Sequence, residues 1–190
     1  MKELKAYRDV TIFMVTLVVV HFLWKWTFTG DEEGGPVTWL GLDVTAPFAM
    51  VSHHIASVVY WLVSLCRDTA HMVGDYTIRF DSGYGTSIVW GCSGLKQAFI
   101  WLCLMLTVMP EAGSQPSAVR RMWLHKLWYI PVGWVCCYAF NIFRIFLIAL
   151  AMENHHEWFY LLHDVILKGA FYAMLFGLWA LFVGKIRPRA

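Results

Sequence analysis

The segment VTAPFAMVSHHIASVVYWLVSLC (residues 44–66) is apolar and long enough to cross a bilayer. Whether it does so decides the topology of the whole chain. It also contains Pro47, several serines and the adjacent pair His53 and His54, so its own composition leaves the matter open. Around it lie four clearer candidate spans: 10–28, 92–109, 123–152 and 163–184. The basic residues fall in three clusters: Lys2, Lys5 and Arg8; Arg120, Arg121 and Lys126; and Lys185, Arg187 and Arg189. An acidic loop of Asp31, Glu32 and Glu33 follows the first span. Basic loops favour the cytoplasmic side, and placing all three clusters there requires an even number of crossings between each pair. The last pair is satisfied by 123–152 and 163–184. The first is satisfied by 10–28 and 92–109 only if 44–66 stays out of the count. The charges therefore predict four spans, both termini cytoplasmic, and 44–66 as an interfacial or re-entrant helix on the outer face.

Composition supports a membrane class throughout. The 190 residues are 59% hydrophobic and 15% charged, with a mean hydropathy of +0.55, whereas an average soluble chain is about a quarter charged. Many of the 11 tryptophans and 13 phenylalanines sit near the ends of apolar runs, as in membrane aromatic belts. A net charge of +2 gives no sign of a nucleic-acid partner. No small-residue cleavage site follows the first apolar run, which reads as a retained helix. Between 44–66 and the next span, residues 73–91 carry β-branched and aromatic residues around Asp81-Ser82-Gly83, the signature of a short extracytoplasmic β-hairpin. The expected fold is a single all-α integral membrane domain with those two outer additions.

The five cysteines form no loop pairs and no CxxC, so neither a disulfide framework nor a zinc site is expected. Cys66, Cys103, Cys136 and Cys137 lie in or at the ends of apolar runs and read as small buried hydrophobes. Cys92 differs, being presented in GCSG (residues 91–94) at the start of a span. Under the predicted topology it opens that span at the outer surface. Arg144 lies 23 residues beyond Arg121 (144 − 121), roughly 35 Å along a helix, against a hydrocarbon core of about 30 Å. It too reaches the outer interface, and His163 opens the last span there. Three polar side chains thus arrive at one depth from three segments. Embedded ionisable residues are costly and usually functional. His53, His54, His155 and His156 occur as adjacent pairs without metal-ligand spacing, so no metal and no cofactor are expected.

This set suits nucleophilic acyl transfer. A helix N-terminus and a nearby guanidinium both lower a thiol pKa, so Cys92 is the candidate nucleophile. Gly91 and Gly94 would allow close substrate approach. His163 could take the thiol proton and return it to the leaving amine, and Arg144 could stabilise thiolate and oxyanion. Asn141, one turn before Arg144, reads as a helix–helix hydrogen-bonding residue; whether it or Tyr84 assists is left open. Two other readings compete. GCSG also fits the G-x-S-G of rhomboid-type serine proteases with Ser93 as nucleophile, and a non-catalytic membrane assembly factor would need none of these residues to react.

The stretches CSGLKQAFIWL, NIFRIFLIAL and WFYLLHDVILKGAFY together resemble the exosortase/archaeosortase family of membrane transpeptidases, from about residue 40 to the C-terminus. The resemblance rests on Cys92-Ser93-Gly94, the Asn-x-x-Arg-Ile of Asn141 to Ile145, and His163. It implies a prokaryotic inner-membrane enzyme with its active site on the extracytoplasmic face. The implied substrates are membrane-anchored proteins bearing a C-terminal sorting signal: a short motif, a transmembrane helix and a basic cluster. It implies Cys92 as nucleophile, with Arg144 and His163 completing the site. The chain is shorter than the many-span members.

Overall fold

The computed structural model describes residues 2–30, 35–111 and 113–186. Asp31, Glu32, Glu33, Arg187 and Arg189, used above as topology markers, lie outside them, as do the side chains of Lys2 and Lys5. In chain order the elements are α1 (Lys2–Thr27), β1 (Phe28–Gly30), β2 (Val37–Trp39), β3 (Leu42–Asp43), α2 (Thr45–Ser64), β4 (Ala70–Val73), β5 (Thr77–Phe80), β6 (Gly85–Ser87), α3 (Leu95–Thr107), α4 (Pro116–Asn154) and α5 (Leu167–Lys185). A 3-10 turn, Trp90–Cys92, precedes α3. A second one, His156–Trp158, and a π-helical turn, Leu161–Ile166, lead into α5.

Four helical stretches are long and apolar enough to cross a membrane: Tyr7–Thr27, Thr45–Ser64, Pro116–Asn154 and His156–Lys185. The set differs from the expected one. Segment 44–66 qualifies by length, whereas the expected span 92–109 contains only the 13 residues of α3, about 20 Å of helix. Gly94, at φ +74°, breaks the helical path between Cys92 and Leu95, and Pro110 stands just beyond the other end.

The chain divides into two compact units. The first takes the chain up to Lys25, Leu95–Cys137 and the chain from Tyr172 on, and among its described residues the elements are all helical. Phe13 meets the rings of Phe176 and Trp179, each at 5.1 Å. Trp101, fully buried, donates its indole N–H to the carbonyls of Tyr129 and Ile130 on α4, both at 3.2 Å. Gly133 makes this approach feasible, since a methyl group there would collide with the indole ring; small residues at helix contacts are the usual membrane solution. Lys126 is buried as well. Its ammonium donates to the Val108 carbonyl at 2.6 Å, just past the end of α3, and sits 4.0 Å above the Trp123 ring. It satisfies a helix C-terminus and is not the surface cation the charge count assumed. Arg120 and Arg121 remain to mark that cluster.

The second unit takes Trp26–Gly94 and Tyr138–Phe171 and holds both sheets. Each is a three-stranded antiparallel meander, β1-β2-β3 and β4-β5-β6. The expected hairpin is there, turning at Gly83 (φ +86°), but β4 adds a third strand to it across Gly74 (φ +63°). The first sheet is an addition to the expected, mainly helical fold: strands of two or three residues are too short to show a two-residue period. On β5 the period is visible, with Ile78 and Phe80 buried and Arg79 exposed. They pack with Ile55, Val59 and Val63 of α2, with Ile88, and with Ile145 and Ala149 of α4. Each large buried side chain in this cluster contributes about 1.5–3 kcal/mol. Glu153, at the end of α4, holds the approach to β4 through Arg67 (2.8 Å) and Thr69 (2.6 Å).

Gly133→Ala provides a test of the helical unit. A glycine-to-alanine change inside a helix normally helps by up to about 1 kcal/mol. Here the collision with Trp101 reverses the sign, and a loss of about 1–3 kcal/mol is expected, read as a lowered Tm of the detergent-solubilised protein.

Candidate active site

Cys92 ends the 3-10 turn, its amide donating to the Val89 carbonyl at 2.8 Å. Its own carbonyl accepts from the Asn141 amide nitrogen at 2.7 Å. Gly94 lies against the same side chain: a Cβ on it would stand 3.1 Å from the Asn141 amide. Gly94 therefore answers two constraints at once, a left-handed backbone and a close neighbour. Asn141 fixes the turn that carries the thiol, a more specific task than the general helix–helix bond expected of it.

Arg144 follows one turn later on α4 and is 4% exposed. It lies within electrostatic reach of both the Cys92 thiol and the His163 imidazole. Among the described residues no carboxylate forms an ion pair with it, and its Nε has no hydrogen-bond partner. Its guanidinium also bonds toward the Cys92 thiol, and a buried cation without a carboxylate partner among the described residues suits an anion that forms or binds there.

Cys92 itself departs from expectation. It lies in the turn ahead of Gly94, outside the helix, so the dipole of α3, which acts within the first turn, reaches it weakly. Burial pushes its thiol up, and the Arg144 guanidinium works in the opposite direction without cancelling that effect. The resting residue is therefore a protonated thiol beside a cation, and forming the thiolate requires a base.

His163 sits in the π-helical turn, a distortion that concentrates at functional positions. Its ring stacks on Phe159, with centroids 5.1 Å apart and planes within 13°. Its Nδ1 lies 3.2 Å from Asp164 Oδ1, but the alignment is not that of a hydrogen bond, and Nδ1 is buried without a partner. Asp164 also pairs with Lys168 at 3.2 Å. No hydrogen bond joins His163 to Cys92, and Arg144 is the group that reaches both. The π turn and the Asp164–Lys168 pair were not anticipated; only the neighbouring Asp164 was visible as a signal.

The remaining candidates separate. Ser93 is buried beside Cys92. Tyr84 stacks on His156 at 4.1 Å, with planes within 10°. His53 meets the Asp75 carbonyl and His54 the Tyr138 hydroxyl. Among the described residues no three His, Cys, Asp or Glu side chains gather as a metal site would need. No protein-family model, curated protein or solved structure matches this chain.

Replacing Asn141 by Leu would leave the buried Cys92 carbonyl unpaired. The expected cost is about 1–3 kcal/mol, read as a lowered Tm, with faster hydrogen exchange at the amides of Cys92 and Ser93 as the turn loosens. Unchanged exchange would show that Asn141 does not hold the turn.

Proposed function

We propose that this chain is a multi-pass membrane cysteine peptidase or transpeptidase that cleaves exported proteins near a C-terminal membrane anchor. The observation that carries the reading is the polar capacity left unused on the two side chains that reach Cys92: Asn141 Oδ1 and Arg144 Nε are buried without hydrogen-bond partners. Buried polar atoms are normally satisfied, and two unsatisfied ones, on side chains that reach Cys92, suit a site built for a polar substrate.

In this reading His163 takes the proton of Cys92 as Sγ attacks the substrate carbonyl carbon. The developing oxyanion and the thiolate share the Arg144 charge. Collapse breaks the C–N bond, the proton passes to the leaving amine, and a thioester remains on Cys92. Water or an amine then attacks the thioester and restores the thiol. The gap between His163 and Cys92 closes when substrate binds, as catalytic hydrogen bonds commonly do.

The membrane placement belongs to the same proposal. Open sheet edges do not occur in hydrocarbon. The face of α2 covered by β4-β5-β6 therefore runs outside the bilayer core, despite the helix's spanning length. In this reading the sheet-bearing unit, with Cys92, works at the extracytoplasmic face of a prokaryotic inner membrane. The resemblance of residues 92–94, 141–145 and 163 to exosortases and archaeosortases agrees with this and names the substrate class.

The test is a search for the thioester. Acid-quenched native membranes holding wild-type or Ser93→Ala protein are expected to carry a peptide on Cys92 that neutral hydroxylamine releases, as seen by mass spectrometry. Cys92→Ala and Arg144→Ala should carry none. An unmodified Cys92 in wild type would contradict a cysteine acyl-enzyme, and a hydroxylamine-resistant acyl ester on Ser93 in its place would point to a serine nucleophile.

A further inference from the structure

A cavity of about 160 Å³ lies in the sheet-bearing unit, between α2, β2 and the segment running from β6 into the turn of Cys92. Its wall includes Phe48, Ala49, Ser52, Ser87, Val89 and Trp90. The lining is mainly apolar, with hydroxyl groups set into it, the usual make-up of a recognition pocket. The volume is close to that of engineered apolar cavities that accept a benzene ring.

Ser52 marks the cavity as a binding site rather than a packing defect. It is 2% exposed, and its Oγ has no hydrogen-bond partner. A serine inside a helix ordinarily bonds back to a carbonyl one turn earlier. Ser57 and Ser64 of the same helix do so, to His53 at 2.9 Å and Trp61 at 2.8 Å. Ser52 does not, and it lines the cavity instead.

The cavity is also tied to the thiol by the chain itself. Val89 and Trp90 form part of its wall, and Cys92 follows two residues after Trp90, at most about 7 Å along the backbone. Trp90 is held in place by Phe48, at 5.9 Å edge to face. Strand β6 is an edge strand of its sheet, and Val89 continues it in extended conformation at φ −88° and ψ 177°. An extended peptide beside this segment would direct alternate side chains to one side.

We infer that this cavity is the specificity pocket of the Cys92 centre and takes one compact, uncharged side chain of the substrate from the acyl side of the scissile bond. The inference rests on the proposed peptidase reading. There the leaving fragment carries the membrane anchor, so the acyl side is the part that lies against the sheet-bearing unit. A group up to the size of a benzene ring fills the space, a carboxylate or ammonium finds no counter-charge among the described residues of its wall, and Ser52 Oγ offers one hydrogen bond to a polar atom on the entering group.

The experiment uses the full-length protein in detergent and a series of acetyl-dipeptidyl chloromethyl ketones. The two residues before the electrophile are varied in turn among Gly, Val, Leu, Phe, Asp and Lys. Covalent modification of Cys92 is followed by mass spectrometry, and iodoacetamide, which needs no pocket, reports whether the thiol remains intact. In wild type one of the two positions should favour Val, Leu or Phe over Gly, Asp and Lys by about tenfold or more. Ala49→Leu, which fills the cavity, should shift that preference toward Gly, and Ser52→Ala should alter it more weakly, both with an unchanged iodoacetamide rate. Identical preferences in wild type and Ala49→Leu, with peptide reagents still outpacing iodoacetamide, would overturn the pocket and leave the peptidase standing. Peptide reagents no faster at Cys92 than at the other cysteines would overturn both.

Discussion

A guanidinium sealed from water, with no carboxylate beside it among the described residues, is the constraint around which the sheet-bearing unit is arranged. Arg144 is held in a helix whose neighbouring residues, Ile145 and Ala149, belong to the main apolar cluster with Ile55, Ile78 and Phe80. That packing prevents the side chain from simply withdrawing to solvent. One turn away, Asn141 grips the carbonyl of Cys92, so the thiol is fixed near the charge through the backbone, without relying on its own weak hydrogen bonding. On the other flank stands His163, in a helical turn widened to the π form. Desolvation makes the isolated charge expensive, and the same desolvation strengthens its effect on any anion formed beside it. The apolar cluster thus supplies the stability against which this cost is set.

Burial and charge act against each other on Cys92, and the balance determines which chemistry is open to it. With burial dominant the thiol stays protonated at rest, unlike the preformed thiolates found at helix N-termini. A protonated thiol is protected from adventitious oxidation and alkylation. It gains nucleophilic character only when its proton is accepted, the task that the proposed mechanism gives to His163. The short α3 and the left-handed Gly94 are part of this setting, because they keep Cys92 off the helix itself.

Much of this was legible in the sequence, and for physical reasons. Helices long and apolar enough to cross a membrane followed from composition and apolar runs, and the hairpin turn from Asp81-Ser82-Gly83. Cys92, Asn141, Arg144 and His163 stood out because polar groups in apolar surroundings are costly to keep. What escaped notice depends on geometry that spacing does not encode. The two- and three-residue strands of the first sheet show no period. Lys126 was counted as a surface cation because a buried partner such as the Val108 carbonyl leaves no mark in sequence. The rise in the Cys92 thiol comes from tertiary burial, which an apolar run on one side of a residue does not reveal. Ser52 was detectable in principle: Phe48, Ser52, Ile55, Ala56, Val59 and Val63 form one buried helical stripe, and it is the single hydroxyl on it.

The coupling between Arg144 and Cys92 is tested most directly by the pH dependence of Cys92 alkylation in the solubilised protein, with the other four cysteines as internal references. Wild type is compared with Arg144→Ala and with Arg144→Gln, which keeps much of the side chain's bulk. Removing the charge takes away the main influence opposing burial, so the titration of Cys92 should move to higher pH in both variants and its alkylation rate near pH 8 should fall several-fold. A Cys92 titration that stays where it was, in variants that remain folded, would contradict the account.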